Sequence, residues 1–264
     1  MWVLRGLRNG VLTSRWPGRQ DEYATATRGP ATAVRGPGSA ALAPGQVAGL
    51  CPTEAISQGD GGAVIDQGRC ILCGRCVAAR PEAFAWTTGP QHAAVSRTGL
   101  VVPATETDAA VHAVMSDLHA RTRALRRSVH LRHVDAGSDG SEEWEIMALL
   151  NPVYDIHRLG LFFTASPRHA DILLVTGAGA RGMAGPLRET YEGMPDPKVV
   201  IAVGTDAVSG GIVSPSYATA GGLDSVVPVD LWLPGSPPGP FAIMSALLLA
   251  VGRLAAVPAA GGVR

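Results

Sequence analysis

The sequence predicts an α/β protein, with a doubly wound, mostly parallel sheet in its C-terminal half behind a small α+β lobe. Three observations predict it. Beyond residue 128, continuous apolar runs alternate with helical patterns. All four cysteines fall between Cys51 and Cys76. Residues 29–50, rich in Gly, Pro and Ala without sustained period, read as a loop or linker leading into them. With 264 residues, 46% hydrophobic and 17% charged, the chain can build one large domain or a small and a medium one. Lys+Arg and Asp+Glu balance at 22 each, so nothing points to a nucleic-acid partner.

At the N-terminus, Arg5, Arg8, Arg15 and Arg19 precede the first acid, Asp21. That suits either an organelle targeting segment or a basic amphipathic helix over 2–9 followed by a strand over 10–16. The second is preferred, since a resemblance given below accounts for it. Ala110, Val114, Leu118 and Leu125 repeat near the helical period and predict a helix over 107–127. Its basic end (Arg121, Arg123, Arg126, Arg127) suits a helix C-terminus or a solvated face. Strands are predicted over 128–134, 161–164, 171–176, 198–203 and 225–229, with helices over 142–150, 183–194 and 241–254. The most apolar run, 241–251, is too short to span a bilayer and reads as a buried helix. Continuous apolar strands alternating with helices imply a parallel sheet covered on both faces. In such sheets function lies in the loops after the strand C-termini, here 135–141, 177–181, 204–211 and 234–238.

The chemistry-bearing signal is Cys70-Ile71-Leu72-Cys73-Gly74-Arg75-Cys76, with Cys51-Pro52 upstream. Three cysteines at two-residue spacing plus a remote Cys-Pro suit the irons of one [4Fe–4S] cube. Zinc, the competing soft metal, usually takes two separated Cys pairs. Other motifs are weak. Residues 177–182 (GAGARG) only superficially match a dinucleotide fingerprint. His130 and His133 stand three apart on a predicted strand, which puts them on opposite faces and argues against a metal pair.

Residues 51–56 (CPTEAI) and 70–81 (CILCGRCVAARP) resemble the two halves of a bacterial two-cluster ferredoxin. In that family the last Cys of each half serves the other half's cluster. Here the second half keeps Cys70, Cys73 and Cys76 and borrows Cys51. Ala41, Pro44, Val47 and Arg80 stand where the other cluster's ligands would be. Residues 7–17 (LRNGVLTSRWP) resemble the start of the ferredoxin-like subunit of membrane-bound group 4 NiFe hydrogenases and formate hydrogenlyases, which implies packing on partner subunits near the membrane.

From about 128 to 256 the chain resembles the small subunit of those hydrogenases, homologous to a respiratory complex I subunit. The carrying segments are 154–160 (YDIHRLG), 164–171 (TASPRHAD), 174–177 (LVTG), 183–188 (MAGPLR), 191–198 (YEGMPDPK), 227–230 (VPVD) and 234–238 (PGSPP). The resemblance implies a flavodoxin-like sheet. It would imply a second cluster, but Asp139, Glu142, Asp206 and Ser236 stand at its four ligand positions. Hard oxygen donors suit an iron–sulfur cube poorly. They read as a hard-cation site, a proton-relay cluster or polar filler, with Arg168 and Arg181 as candidate charge partners.

Together these imply 1–28 as a docking helix and strand, 29–100 as a ferredoxin-like 4Fe–4S domain, 101–127 as linker and helix, and 128–258 as the small-subunit-like domain. The implied role is electron transfer through one [4Fe–4S] cluster, as a cytoplasmic subunit peripheral on the inner face of a bacterial membrane. Implied partners are a hydrogenase- or complex I-like large subunit, membrane-arm subunits and an electron-donor protein. No complete catalytic site is expected in this chain. The alternative is a structural or regulatory subunit whose cluster only stabilises the fold.

Overall fold

Uninterrupted apolar runs build the centre of the protein. A computed structural model describes residues 2–34, 49–59, 62–104, 106–125, 128–214 and 216–254. In chain order the elements are α1 (Trp2–Asn9), α2 (Glu22–Thr25), β1 (Arg28–Ala33), β2 (Ile56–Gly59), β3 (Gly62–Asp66), α3 (Arg75–Ala79), β4 (Phe84–Thr88), β5 (Val101–Val102), α4 (Asp108–Thr122), β6 (Val129–Asp135), α5 (Ser141–Ala148), β7 (Leu161–Phe163), β8 (Ile172–Thr176), α6 (Ala184–Glu192), β9 (Val199–Val203), α7 (Thr205–Ser209), β10 (Leu231–Leu233) and α8 (Pro240–Ala250).

The main sheet is parallel throughout, in the order β10-β9-β8-β6-β7. Numbered along the chain from β6, this is the 2-1-3-4-5 order of flavodoxin-like sheets, whose switch point lies between its first and third strands, here β6 and β8. Every residue of β8 and β9 is buried, because helices cover both faces. On one face α8, buried at all its positions, packs with Met115 and Leu118 of α4 and with Ile146 and Leu149. A helix apolar all round is stable only inside such a core. On the other face lie Leu187 of α6 and Ala207 and Val208 of α7.

The cysteine lobe has its own framework. β1 pairs antiparallel with β4, and the β2–β3 hairpin is extended by β5. Ala31, Ile56, Ile65, Cys76 and Phe84 form its core.

Three expectations are corrected. Residues 10–16 do not form a strand. They dock by separate contacts: Thr13 Oγ1 donates to the Pro152 carbonyl and the Ser14 amide to that of Val153, both at 2.8 Å, while Trp16 packs edge-on against Phe241. Within 29–50, residues 28–33 form β1. Its ladder slips between Arg28 and Ala31, which accommodates Pro30 as a bulge, so pairing with β4 overrides the Gly-Pro signal. Residues 35–48, including Ala41, Pro44 and Val47, lie outside the described residues. Finally, 225–229 is not a strand. A 3-10 turn covers Leu223–Ser225, and the edge strand forms at Leu231–Leu233, after Pro228, which has no N–H for a ladder.

Candidate functional site

All four cysteines line one hollow in the lobe, walled by Ile56, Ile65, Ile71 and Trp86. The loop from Cys70 to Cys76 turns its thiols to one side through two left-handed residues, Leu72 (φ 56°) and Gly74 (φ 74°). For Leu72 that conformation is strained, and such strain concentrates at functional sites. At Gly74 a Cβ would fall 2.9 Å from the Trp86 ring, so only glycine fits. Cys51 is held from the other side: its Sγ accepts from the Ala55 amide at 3.3 Å and touches Thr53 Oγ1, which donates to the Arg69 carbonyl at 2.6 Å.

Burial pushes the Cys76 thiol up to about 11, with Cys70, Cys51 and Cys73 adding to the shift. Burial likewise raises the Cys70 thiol, against backbone amides of Ala31 and Leu72 that favour its thiolate. The two buried thiols, Cys70 and Cys76, resist ionising and need a cationic centre before they become thiolate ligands. Among the described residues no three His, Cys, Asp or Glu side chains are grouped to hold a single metal ion. Four soft sulfur donors lining one hollow are a donor set of the kind that iron–sulfur cubes and zinc take.

The second set of residues lies at the C-terminal edge of the main sheet. Asp139 sits exposed in the loop after β6, and Glu142 opens α5, yet the Glu142 residue is only 1% exposed. Its carboxyl lies against Gly204, where a Cβ would stand 2.6 Å from Glu142 Oε1. Burial first, then the charges of Asp206 and Asp139, push Glu142 up to about 7. Asp206, on α7, is raised by burial and by Asp139. Asp139 is lowered by hydrogen bonds from the Ser141 hydroxyl and amide. So the structure brings Asp139, Glu142 and Asp206 within electrostatic reach of one another. Ser236 follows β10 on the adjoining loop, and among the described residues its hydroxyl bonds to none of the three.

Neither expected arginine partners these acids. Arg168 lies in the 3-10 turn Pro167–His169 that leads into β8, at that strand's N-terminal end, opposite the site. Arg181 stays exposed after β8, with its backbone bonded to Ala218. The hard-cation reading lacks a grouped ligand set among the described residues. His130 and His133 do face apart: His130 approaches Asp171, while His133 Nε2 meets Thr176 Oγ1 at 3.0 Å and Glu143 beyond it.

The residue that sequence reasoning missed is Thr205. Fully buried, it donates from Oγ1 to the Cys70 carbonyl at 2.8 Å and accepts the Gly235 amide at 3.1 Å. The available signal was its place directly after Gly204 at the end of β9, in a loop already expected to be functional. Ser141, which links Asp139 to Glu142, was missed likewise.

The parallel sheet and the loops at its switch point define a known class. Residues 140–250 match the family described as NADH ubiquinone oxidoreductase, 20 Kd subunit. The chain is 43% identical over 131 residues to the probable membrane-bound hydrogenase subunit mbhJ of Pyrococcus furiosus, covering 50% of this chain and 78% of that protein. It belongs to this family. It is 40% identical over 156 residues to formate hydrogenlyase subunit 7 of Escherichia coli K12; that match takes in 59% of this chain and spans only 60% of the relative. A chain in the structure of the membrane-bound sulfane sulfur reductase, an archaeal respiratory membrane complex, is 31% identical with a TM-score of 0.43, over 50% of this chain and 75% of that one.

Proposed function

We propose that this chain is the iron–sulfur electron-transfer subunit of a membrane-associated oxidoreductase of the hydrogenase and complex I kind. It would carry one [4Fe–4S] cluster on Cys51, Cys70, Cys73 and Cys76. The observation that carries this is the convergence of all four thiols on one apolar hollow behind a strained C-x2-C-x2-C loop. The family supports the setting, since relatives are named as subunits of formate hydrogenlyase and of a membrane-bound hydrogenase. When bound, such a cluster accepts and passes on single electrons. The chain's own residues would hold it: Ala31, Leu72 and Ala55 offer amides to the sulfurs, and Trp86 and the isoleucines wall the hollow, while Cys73 stays exposed.

On this reading 1–28 docks the chain, 29–100 is a ferredoxin-like domain, 101–127 links, and 128–258 is the small-subunit-like domain. Among the described residues no helix is long and apolar enough to cross a membrane. Contact with the inner face of a bacterial membrane falls to α1. Trp2, Leu4 and Leu7 are exposed there beside Arg5 and Arg8, and none of its residues is buried. Partners would be a large subunit, membrane-arm subunits and a donor protein.

A second reading has one observation in its favour. Asp139, Glu142, Asp206 and Ser236 stand where the small-subunit resemblance expects a second cluster's thiols, so the onward path for electrons is missing. The chain would then be a structural or regulatory subunit. Spectroscopy decides between them. A dithionite-reduced sample of the full chain should give a paramagnetic cluster signal that is lost in Cys73→Ser. In the assembled complex, reoxidation of that signal by the complex's acceptor supports relay, and a signal that never turns over supports the second reading.

A further inference from the structure

Glu142 is the buried group that the cluster reading leaves unused. Its Oε1 has no hydrogen-bond partner, and the residue is 1% exposed. Its Oε2 lies 3.1 Å from Ser141 Oγ, and Ser141 Oγ lies 2.6 Å from Asp139 Oδ1. A hydroxyl has one hydrogen. The shorter contact, with a carboxylate that also accepts the Ser141 amide at 2.9 Å, claims it. Ser141 Oγ then has only lone pairs for Glu142, so the 3.1 Å contact is a hydrogen bond when Glu142 carries the proton and donates it. The geometry describes a chain from Glu142 Oε2–H to Ser141 Oγ–H to Asp139 Oδ1, which ends in solvent.

Glu142 lies against Gly204, and the next residue, Thr205, donates to the Cys70 carbonyl at 2.8 Å. In that low-dielectric junction an added negative charge raises the proton affinity of a nearby carboxylate.

Resting on the cluster reading, we propose that Glu142 is the proton acceptor coupled to reduction of the cysteine lobe, fed from solvent through Asp139 and Ser141. One electron enters the cluster from a one-electron donor. One proton passes from water through Asp139 and Ser141 to the Glu142 carboxylate, so no net charge is added to the junction. Reoxidation reverses both.

The groups facing Glu142 leave it free for this role. From α7 it meets Asp206, and from its own loop Asp139, both acids that favour its neutral form. From the core face α8 (PFAIMSALLLA) offers no titratable side chain. Neighbouring Glu143 is turned to Ser138, Thr176 and His133. Burial pushing Glu142 up to about 7 puts its titration where solution protons can respond.

The test is a mediated redox titration of the anaerobic, iron-loaded full chain, followed by its paramagnetic signal across pH 6 to 9. The midpoint should fall as pH rises near neutrality, by at most ~59 mV per tenfold drop in proton concentration for one electron and one proton. Glu142→Gln should flatten that dependence, and the reduced-minus-oxidised infrared spectrum should lose a protonated-carboxyl band. If Glu142→Gln fails to load iron, the wild-type slope and band decide. A midpoint independent of pH, or a slope and band that persist in Glu142→Gln, overturns the relay while leaving the cluster reading intact. A chain without iron removes both.

Discussion

Thr205 and Cys70 stand 135 residues apart in the chain, yet the Thr205 hydroxyl donates to the Cys70 carbonyl at 2.8 Å. The same hydroxyl accepts the Gly235 amide, so one buried oxygen ties the cysteine loop to two strand ends of the sheet. Removing it orphans a buried donor and an acceptor, at a cost of about 1–3 kcal/mol. Thr205→Val should therefore lower the unfolding free energy from urea melts by that amount, and Thr205→Ser should restore most of it. A Thr205→Val change of only a few tenths would mean the lobe is held by other contacts.

The parallel sheet was legible in the sequence because β8 and β9 are buried on both faces, which leaves continuous apolar runs flanked by helical patterns. The meeting of the four cysteines at one hollow was legible because three of them stand at local two-residue spacing and the fourth is a remote Cys-Pro of the same pattern. β1 was hidden because Gly29 and Pro30 read as a loop, and only pairing with distant β4, through a bulge, makes them a strand. The edge strand was misplaced because Val226, Val227 and Val229 are an apolar run that packs as a loop, with Val227 only 2% exposed. One shared site for Asp139, Glu142, Asp206 and Ser236 was expected from the resemblance, and the first three come within electrostatic reach while Ser236 bonds to none of them. The partners of these acids were not foreseen: arginines were expected, and the structure supplies Ser141 and a buried, unpartnered carboxylate oxygen.

Glu142 makes stability depend on pH. Its value rises from the ordinary 4.5 to about 7 on folding, so between these the native state holds a proton that the unfolded state has lost. Stability then falls as pH rises through that window, by about 3 kcal/mol in total at 1.36 kcal/mol per pH unit. Glu142→Gln should match wild type below pH 4.5 and exceed it by up to that amount at pH 8. Denaturant melts at both pH values check this; a variant less stable at pH 8 would show that the ionised carboxylate has a partner.

Because no residue of α1 is buried, its deletion should leave the melting temperature unchanged. It should abolish sedimentation with anionic vesicles, which added salt should also weaken. Wild type that ignores anionic vesicles would contradict membrane contact through α1.

Cys73→Ser should lose its iron and expose the lobe around Cys51–Cys76 to protease, since small lobes of this kind fold on their metal. The sheet from Val129 onward keeps its own core and should resist digestion. A lobe that stays resistant without iron would mean Ile65, Phe84 and their neighbours suffice alone.

The central claim is one complete cluster on four cysteines and none on the oxygens at Asp139, Glu142, Asp206 and Ser236. Iron and acid-labile sulfide, counted per chain in anaerobically purified protein, test it most directly. About four of each are predicted. About eight of each would place a second cluster on the oxygen set, and zinc without sulfide would replace the cluster altogether; either contradicts the account.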